Sequence, residues 1–190
     1  MNLKDYVKVY QMFDDKFCKK IITQINKTEW KKHSYFDYSK NTHNSYDDDL
    51  FVSNGTNKKN EITPDIVKLN EMIWHVLKRY VAEDINLSWF TTWHGYSLAR
   101  FNRYDKKCTM RVHCDHIHSL FDGERKGIPT LTILGSLNNN YSGGKFIMWE
   151  SEEIELKAGQ IAVFPSNFLY PHKINPVTKG TRYSFVSWAW

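Results

Sequence analysis

The chain has few of the residues that staple or anchor a fold. Its 3 cysteines (Cys18, Cys108, Cys114) are odd in number and form no CxxC pair. That argues against a disulfide framework and a thiolate zinc site, and makes a reducing, cytoplasmic compartment the expectation. No apolar run approaches the roughly 20 residues that cross a bilayer, so no membrane partner is expected. The opening MNLKDYVKVY lacks the apolar stretch of a secretory signal. Nor is charge of one sign concentrated. The net charge is +5, but the basic pairs Lys19-Lys20, Lys31-Lys32, Lys58-Lys59 and Lys106-Lys107 are scattered and interrupted by acids. They describe a solvated surface rather than a nucleic-acid footprint. Aromatic residues, by contrast, are plentiful at 15%, beside 41% hydrophobic residues. Such a chain is not disordered, and 190 residues suit a single domain spanning 1–190 rather than two cores.

Alternation over residues 5–11 predicts a short strand. A helix follows from Asp14, with Phe17, Cys18, Ile21, Ile22 and Ile25 on one face. Residues 29–36 read as another strand. Residues 37–61 are rich in Asn, Ser, Asp and Tyr and carry the turn signal Asn54-Gly55. A connection of this length suits a lid, in which Tyr38 and Tyr46 would close over a peptide. Thr63 and Pro64 cap a second helix running to about Ala82, with Ile66, Leu69, Met72, Ile73, Val76, Leu77 and Tyr80 on its apolar face. From residue 88 onward short strands are punctuated at Asp122-Gly123, Ser142-Gly143-Gly144 and Ala158-Gly159. The pattern predicts an α+β, mainly β fold: a double-sheet jelly roll (double-stranded β-helix) with two supporting N-terminal helices.

Four residues carry the chemistry: His113, Asp115, His172 and Arg182. On a strand, the two-residue spacing puts His113 and Asp115 on one face, with Cys114 turned away. A distant histidine would complete two imidazoles and one carboxylate, the facial set that suits non-haem Fe(II) and leaves positions open. Arg182 follows His172 by ten residues, and Ser184 shares its face. A buried guanidinium can hold a carboxylate through two parallel hydrogen bonds. A metal with open positions beside a carboxylate anchor suits 2-oxoglutarate.

The C-terminal hundred residues resemble the prolyl 4-hydroxylase-type family of Fe(II)/2-oxoglutarate-dependent dioxygenases. The segments RYDKKCTMRVHCD, LTILGSLNNNYSGGKFIMW, AGQIAVFPS and YPHKINPVTKGTR carry that resemblance in order and spacing. It implies that His113, Asp115 and His172 bind Fe(II). Arg182 would hold the distal carboxylate of 2-oxoglutarate, with Ser184 and Tyr104, and Trp188, Ser136 and Phe146 would line the pocket. Such an enzyme consumes O2 and 2-oxoglutarate, with ascorbate as reductant. It releases succinate and CO2 and hydroxylates a proline-containing peptide or protein. The sequence departs from the family at Ser136, which stands where a tyrosine is common, and at Lys107, in place of a glycine. Arg182 replaces the lysine of collagen-type members, and with the preceding PVTKG it is nearer to bacterial and oxygen-sensing members.

Arg100, Arg103 and Trp149 are the expected substrate contacts. His116 and His118 extend HCDHIH but fall on the Cys114 face, and a fourth ligand would close a position dioxygen needs. His33, His43, His75 and His94 show no partner in the sequence. An oxygenase acting on nucleic acid or a small molecule is a second reading; against nucleic acid stands the lack of a second arginine shortly after Arg182. A hydrolytic or non-catalytic metal-binding jelly roll is a third, and it leaves Arg182 and Ser184 without a ligand.

Overall fold

The structure is a computed structural model. It describes every residue except Met1, Tyr38, Lys58, Asn60, Thr91, Thr92 and residues 116–127. The expectations placed on Tyr38, His116, His118 and the Asp122-Gly123 turn lie outside the described residues. The N-terminal half contributes β1 (Lys8–Gln11), α1 (Asp15–Ile25), β2 (Lys31–Lys32), β3 (Tyr35–Asp37), β4 (Thr42–Asn44), β5 (Phe51–Ser53) and α2 (Pro64–Arg79). The C-terminal half contributes β6 (Arg100–Tyr104), β7 (Met110–His113), β8 (Leu131–Ser136), β9 (Ser142–Gly143) and β10 (Phe146–Met148). It continues with β11 (Glu152–Glu153), β12 (Gln160–Pro165), β13 (His172–Ile174), β14 (Val177–Lys179) and β15 (Arg182–Ala189).

Both helices start where their caps predict. The Asp14 side chain accepts from Phe17 N at 2.7 Å, and Thr63 caps α2 with Pro64 at the first position. Past Arg79 the helix widens into a π turn, Tyr80–Ile85, closed by Asn86 in the left-handed region. The buried faces Cys18, Ile21, Ile25 and Ile66, Leu69, Ile73, Leu77 pack together on one face of a seven-stranded sheet.

That sheet has the order β1-β12-β8-β15-β6-β5-β2, and each of its pairs is antiparallel. A four-stranded sheet, β11-β10-β13-β7, packs on its other face. The central strands are therefore buried on both sides, and alternation sorts their residues between two cores. On β15, Phe185 and Ala189 join the helix-side cluster, whereas Val186 and Trp188 join the inter-sheet cluster. On β8, Leu131 and Ile133 go to the helices and Leu134 to the inter-sheet space. Gly135 permits a close approach: a Cβ there would lie 2.1 Å from the Phe185 ring. Gly143 has φ +72°, and a Cβ there would meet Pro176 O at 2.3 Å, so the double glycine is a backbone requirement of the β9–β14 pair.

Several boundaries differ from the alternation pattern. Residues 3–6 form a 3-10 turn, and the first strand begins only at Lys8. The strand expected over 29–36 is two, broken at His33, whose N–H donates to Leu50 O. The 37–61 segment is not one open connection: β3 pairs with β4 and β5 extends the large sheet. Residues 94–97 run beside the end of β15 with only an isolated bridge, Tyr96 to Ala189. Among the described residues no helix is long and apolar enough to cross a membrane.

Candidate metal centre

Antiparallel pairing of β13 with β7 sets His172 opposite His113. Their ring centroids are 4.4 Å apart. Asp115 lies two residues past the end of β7, so its position is set not by strand alternation but by β8. Thr132 Oγ1 donates to Asp115 Oδ2 at 2.8 Å, which leaves the Ser166 hydroxyl, 2.8 Å away, to donate to Thr132. Asp115 Oδ1 is 3.2 Å from His113 Nε2, and Oδ2 is 3.8 Å from His172 Nε2. One ligand atom from each of the three falls within 4.8 Å of the others.

Each ring is held by a carbonyl. His113 Nδ1 lies 2.8 Å from Arg111 O, and His172 Nδ1 lies 3.0 Å from Tyr170 O. A carbonyl only accepts, so each Nδ1 carries a proton; His172 Nε2 is free to face a metal, and His113 Nε2 becomes so once it gives up the proton that it donates to Asp115 in the metal-free protein. Phe146 and Phe164 stand edge-on to the His172 ring, with centroids 5.7 and 5.2 Å away. Burial raises the pKa of Asp115, but the charges of His172 and His113 and the hydrogen bond from His113 outweigh it. The carboxyl is held well below the usual range and is ionised. Burial pushes the His172 pKa down against the pull of Asp115. In His113 burial also lowers the pKa, yet the hydrogen bond and charge of Asp115 raise it overall.

Arg182 is 1% exposed. It donates to Ser184 Oγ at 2.8 Å and stacks on Tyr104, with Cζ 5.0 Å from the ring centroid. Tyr104, its partner in the β15–β6 register, lines the cavity at the metal ligands. Arg182 itself borders an adjoining cavity with Gly144 and Phe146. Ser136 lies across from Ser184, buried, with its hydroxyl turned to Asn138 O at 3.4 Å. Trp188 lines the metal cavity, and its indole N–H faces Asp115 without reaching hydrogen-bond distance. Arg182 Nε, Asn102 Oδ1, Arg100 Nε and Trp188 Nε1 are buried without hydrogen-bond partners. Such atoms call for a polar occupant. With two Nε2 atoms and one ionised carboxylate they fit an Fe(II) ion and a small dicarboxylate.

The three expected substrate contacts separate. Arg100 lines the metal cavity. Arg103 does not reach it: one residue out of phase on β6, it packs on Phe51 and Trp30, at 4.7 and 5.1 Å, with Nε 3.3 Å from Asp105 Oδ2. Trp149 has φ +55°, and its Nε1 donates to Leu169 O at 2.9 Å, away from the cavity lining. Tyr46 is exposed, with Arg111 stacked 4.1 Å above its ring. Cys114 is partly buried, and burial raises its thiol pKa, consistent with an unreactive thiol.

Sequence reasoning missed a clamp. Arg111, two residues before His113, donates to Asp49 Oδ1 and Asp48 Oδ1, both at 2.6 Å, and to Tyr35 OH at 2.9 Å. Asp49 is fully buried; it also accepts from Tyr35 OH and Tyr46 N. This ties the segment expected to be a lid to the strand that bears His113. His33 is likewise buried, beside Arg100 and Asp49, and burial lowers its pKa to about 4. Thr132, Ser166, Asn102 and Phe164 were also missed. Hydroxyls and amides in apolar strands give no local signal of the carboxylate or cavity they face.

Residues 99–190 match the family model of the 2OG-Fe(II) oxygenase superfamily. A PKHD-type hydroxylase of Delftia acidovorans is 34% identical over 96 residues, 47% of this chain and 41% of that protein. A PKHD-type hydroxylase of Paracoccus denitrificans is 32% identical over 95 residues, with the same coverage. The chain thus spans about two fifths of the length of the curated relatives it matches. Among solved structures, a prolyl hydroxylase from Trichoplax adhaerens in complex with a hypoxia inducible factor peptide fragment superposes with a TM-score of 0.71. It is 16% identical, and the match covers 98% of this chain and 84% of that one. A prolyl 4-hydroxylase of Pseudomonas putida gives 0.64 at 14% identity, covering 97% and 91%. At such identities the likeness is one of fold. Together with the family match it bears out the resemblance to prolyl 4-hydroxylase-like 2OG-Fe(II) oxygenases.

Proposed function

We propose that this chain is an Fe(II)/2-oxoglutarate-dependent oxygenase that hydroxylates proline in a peptide or protein, releasing succinate and CO2. One observation carries the reading. Two histidine Nε2 atoms, each with Nδ1 pinned by a carbonyl, converge with an ionised carboxylate beside buried polar groups that lack partners. In this reading residues 1–190 form one domain whose two sheets make a double-stranded β-helix. The three free cysteines suit a reducing cytoplasm.

His113, Asp115 and His172 would hold the iron, and Thr132 would orient the Asp115 carboxylate. Bound there with 2-oxoglutarate, Fe(II) would activate dioxygen, the oxidant that takes two electrons from 2-oxoglutarate and two from an unactivated C–H bond. Arg182, assisted by Ser184 and Tyr104, would hold the distal carboxylate; a bidentate guanidinium contact fixes both charge and orientation. Phe146, Phe164 and Trp188 would exclude water from the reacting groups. Trichoplax adhaerens prolyl hydroxylase binds a peptide fragment, which supports a peptide or protein substrate here. The test is an assay with Fe(II), 2-oxoglutarate and ascorbate against proline-containing peptides. Succinate release should match the peptide that gains one oxygen. Turnover of a nucleobase but of no peptide would replace the prolyl reading, and hydrolysis without 2-oxoglutarate would replace the oxygenase reading.

A further inference from the structure

The cavity at the metal ligands contains a cation that the chemistry proposed above leaves unused. Arg100 lines it together with Asp115, His113 and Trp188. Among the described residues no carboxylate lies within ion-pair distance of its guanidinium, and its buried Nε has no hydrogen-bond partner. Its contact is the Trp188 ring, 5.0 Å from Cζ. Arg100 is half-buried with a fully buried Nε, and a cation–π contact alone does not offset that desolvation. Burial accordingly lowers its pKa, against the attraction of Tyr104 and Asp115.

Position separates this arginine from Arg182. Arg182 is paired with Tyr104, and Arg100 with Val186, in the β15–β6 register. Tyr104 and Arg100 are four residue steps apart on β6, about 13 Å of strand, more than one small diacid spans while also chelating a metal. Trp188, stacked on Arg100, pairs with Thr132, which holds Asp115. Arg100 therefore stands beside the metal ligands at the end of β6 away from Arg182, which borders the other cavity. The charges also leave it over. A divalent metal, the Asp115 carboxylate, a dicarboxylate dianion and Arg182 sum to zero, and Arg100 adds one positive charge.

We propose that Arg100 is a second anion anchor and that the substrate of this site carries a carboxylate, held beside the metal centre at the end of β6 away from Arg182. The inference rests on the oxygenase reading and narrows its substrate class. The carboxylate is either the α-carboxylate of the target residue or the side chain of an acidic neighbour in a peptide, and charge-matched probes separate the two.

The experiment is calorimetric titration of the Mn(II)-loaded protein, with 2-oxoglutarate present, against N-acetyl-L-proline and its amide, and against Gly-Pro-Asp amide and Gly-Pro-Asn amide. At least one acid should bind tenfold or more tighter than its neutral twin. The gap should close to under twofold in Arg100→Met and in Arg100→Gln, and partly reopen in Arg100→Lys. The winning pair identifies the source of the carboxylate. Equal binding of acid and amide, no binding by either acid, or a gap that survives in Arg100→Met overturns the proposal. So does a loss of 2-oxoglutarate affinity in Arg100→Met as large as in Arg182→Gln, which would make Arg100 the cosubstrate's own anchor. Should the wild-type protein fail to bind 2-oxoglutarate at all, the oxygenase reading falls. The acid–amide comparison is then made without 2-oxoglutarate and still decides the role of Arg100.

Discussion

The two halves of the chain divide the two faces of one sheet between them. Strands β6 to β15 place alternate residues in the inter-sheet space, and the metal-ligating cluster, Tyr104, Arg182 and Arg100 all come from this half. Residues before 99 mainly serve the other face, where α1 and α2 seal the sheet with apolar side chains. One strand thus works for both. β15 sends Phe185 and Ala189 to the helices and Arg182, Ser184 and Trp188 to the site. Period-two alternation lets a packed support and a polar site share a backbone with little mutual constraint.

That separation can be tested from both sides. The largest effect should come from Asp115→Ala, which removes the anionic ligand. Calorimetry should show Mn(II) binding lost while circular dichroism and the unfolding midpoint stay close to wild type. The converse is Ile21→Ala, in a fully buried position on α1, which should cost about 2–5 kcal/mol in urea unfolding and leave metal affinity unchanged. If Ile21→Ala weakens metal binding before it lowers stability, the halves are not independent.

Two places where the halves meet, His33 beside Arg100 and Asp49 beside Arg111, should sharpen the contrast. His33 has its folded pKa lowered from 6.5 to about 4, by burial first and by Arg100 second. Between those values the unfolded chain binds a proton that the folded chain refuses. Stability of the metal-free protein should therefore fall as pH drops through this window, by on the order of 3 kcal/mol. Urea titrations of His33→Leu should show a flatter slope there; an unchanged slope would mean that His33 is solvated. The smallest effect is expected from Arg111→Gln. Asp49 keeps its contacts from Tyr35 and Tyr46 but loses its charged partner, at about 1–3 kcal/mol. Amide hydrogen exchange should rise in residues 42–53 and not in α1 or α2.

The helices were legible because their signals are local. Asp14 and Thr63 are caps, and Ile21, Ile25, Leu69 and Ile73 recur at the helical period. His113, Asp115, His172 and Arg182 were legible because ionisable groups in apolar strand sequence need a reason to be there. Arg103 was misplaced because two arginines on one strand look alike until the phase of alternation is known. Asp115 was assigned to a strand, whereas the strand ends at His113 and a threonine from β8 holds the carboxylate. The Arg111–Asp49 clamp escaped notice because its partners are 62 residues apart.

The amino-acid order by itself determined which residues would share a face, where the helices begin and which side chains were fit to bind a metal. These follow from φ/ψ preference, capping and side-chain period, all of which act within a few residues. Only the tertiary structure decided that His172 sits opposite His113, that Thr132 meets Asp115, and that Arg182 and Arg100 stand at opposite ends of the β15–β6 pairing. Register between distant strands is set by ladder hydrogen bonds and by the packing of both sheet faces together, and no short stretch of sequence contains either.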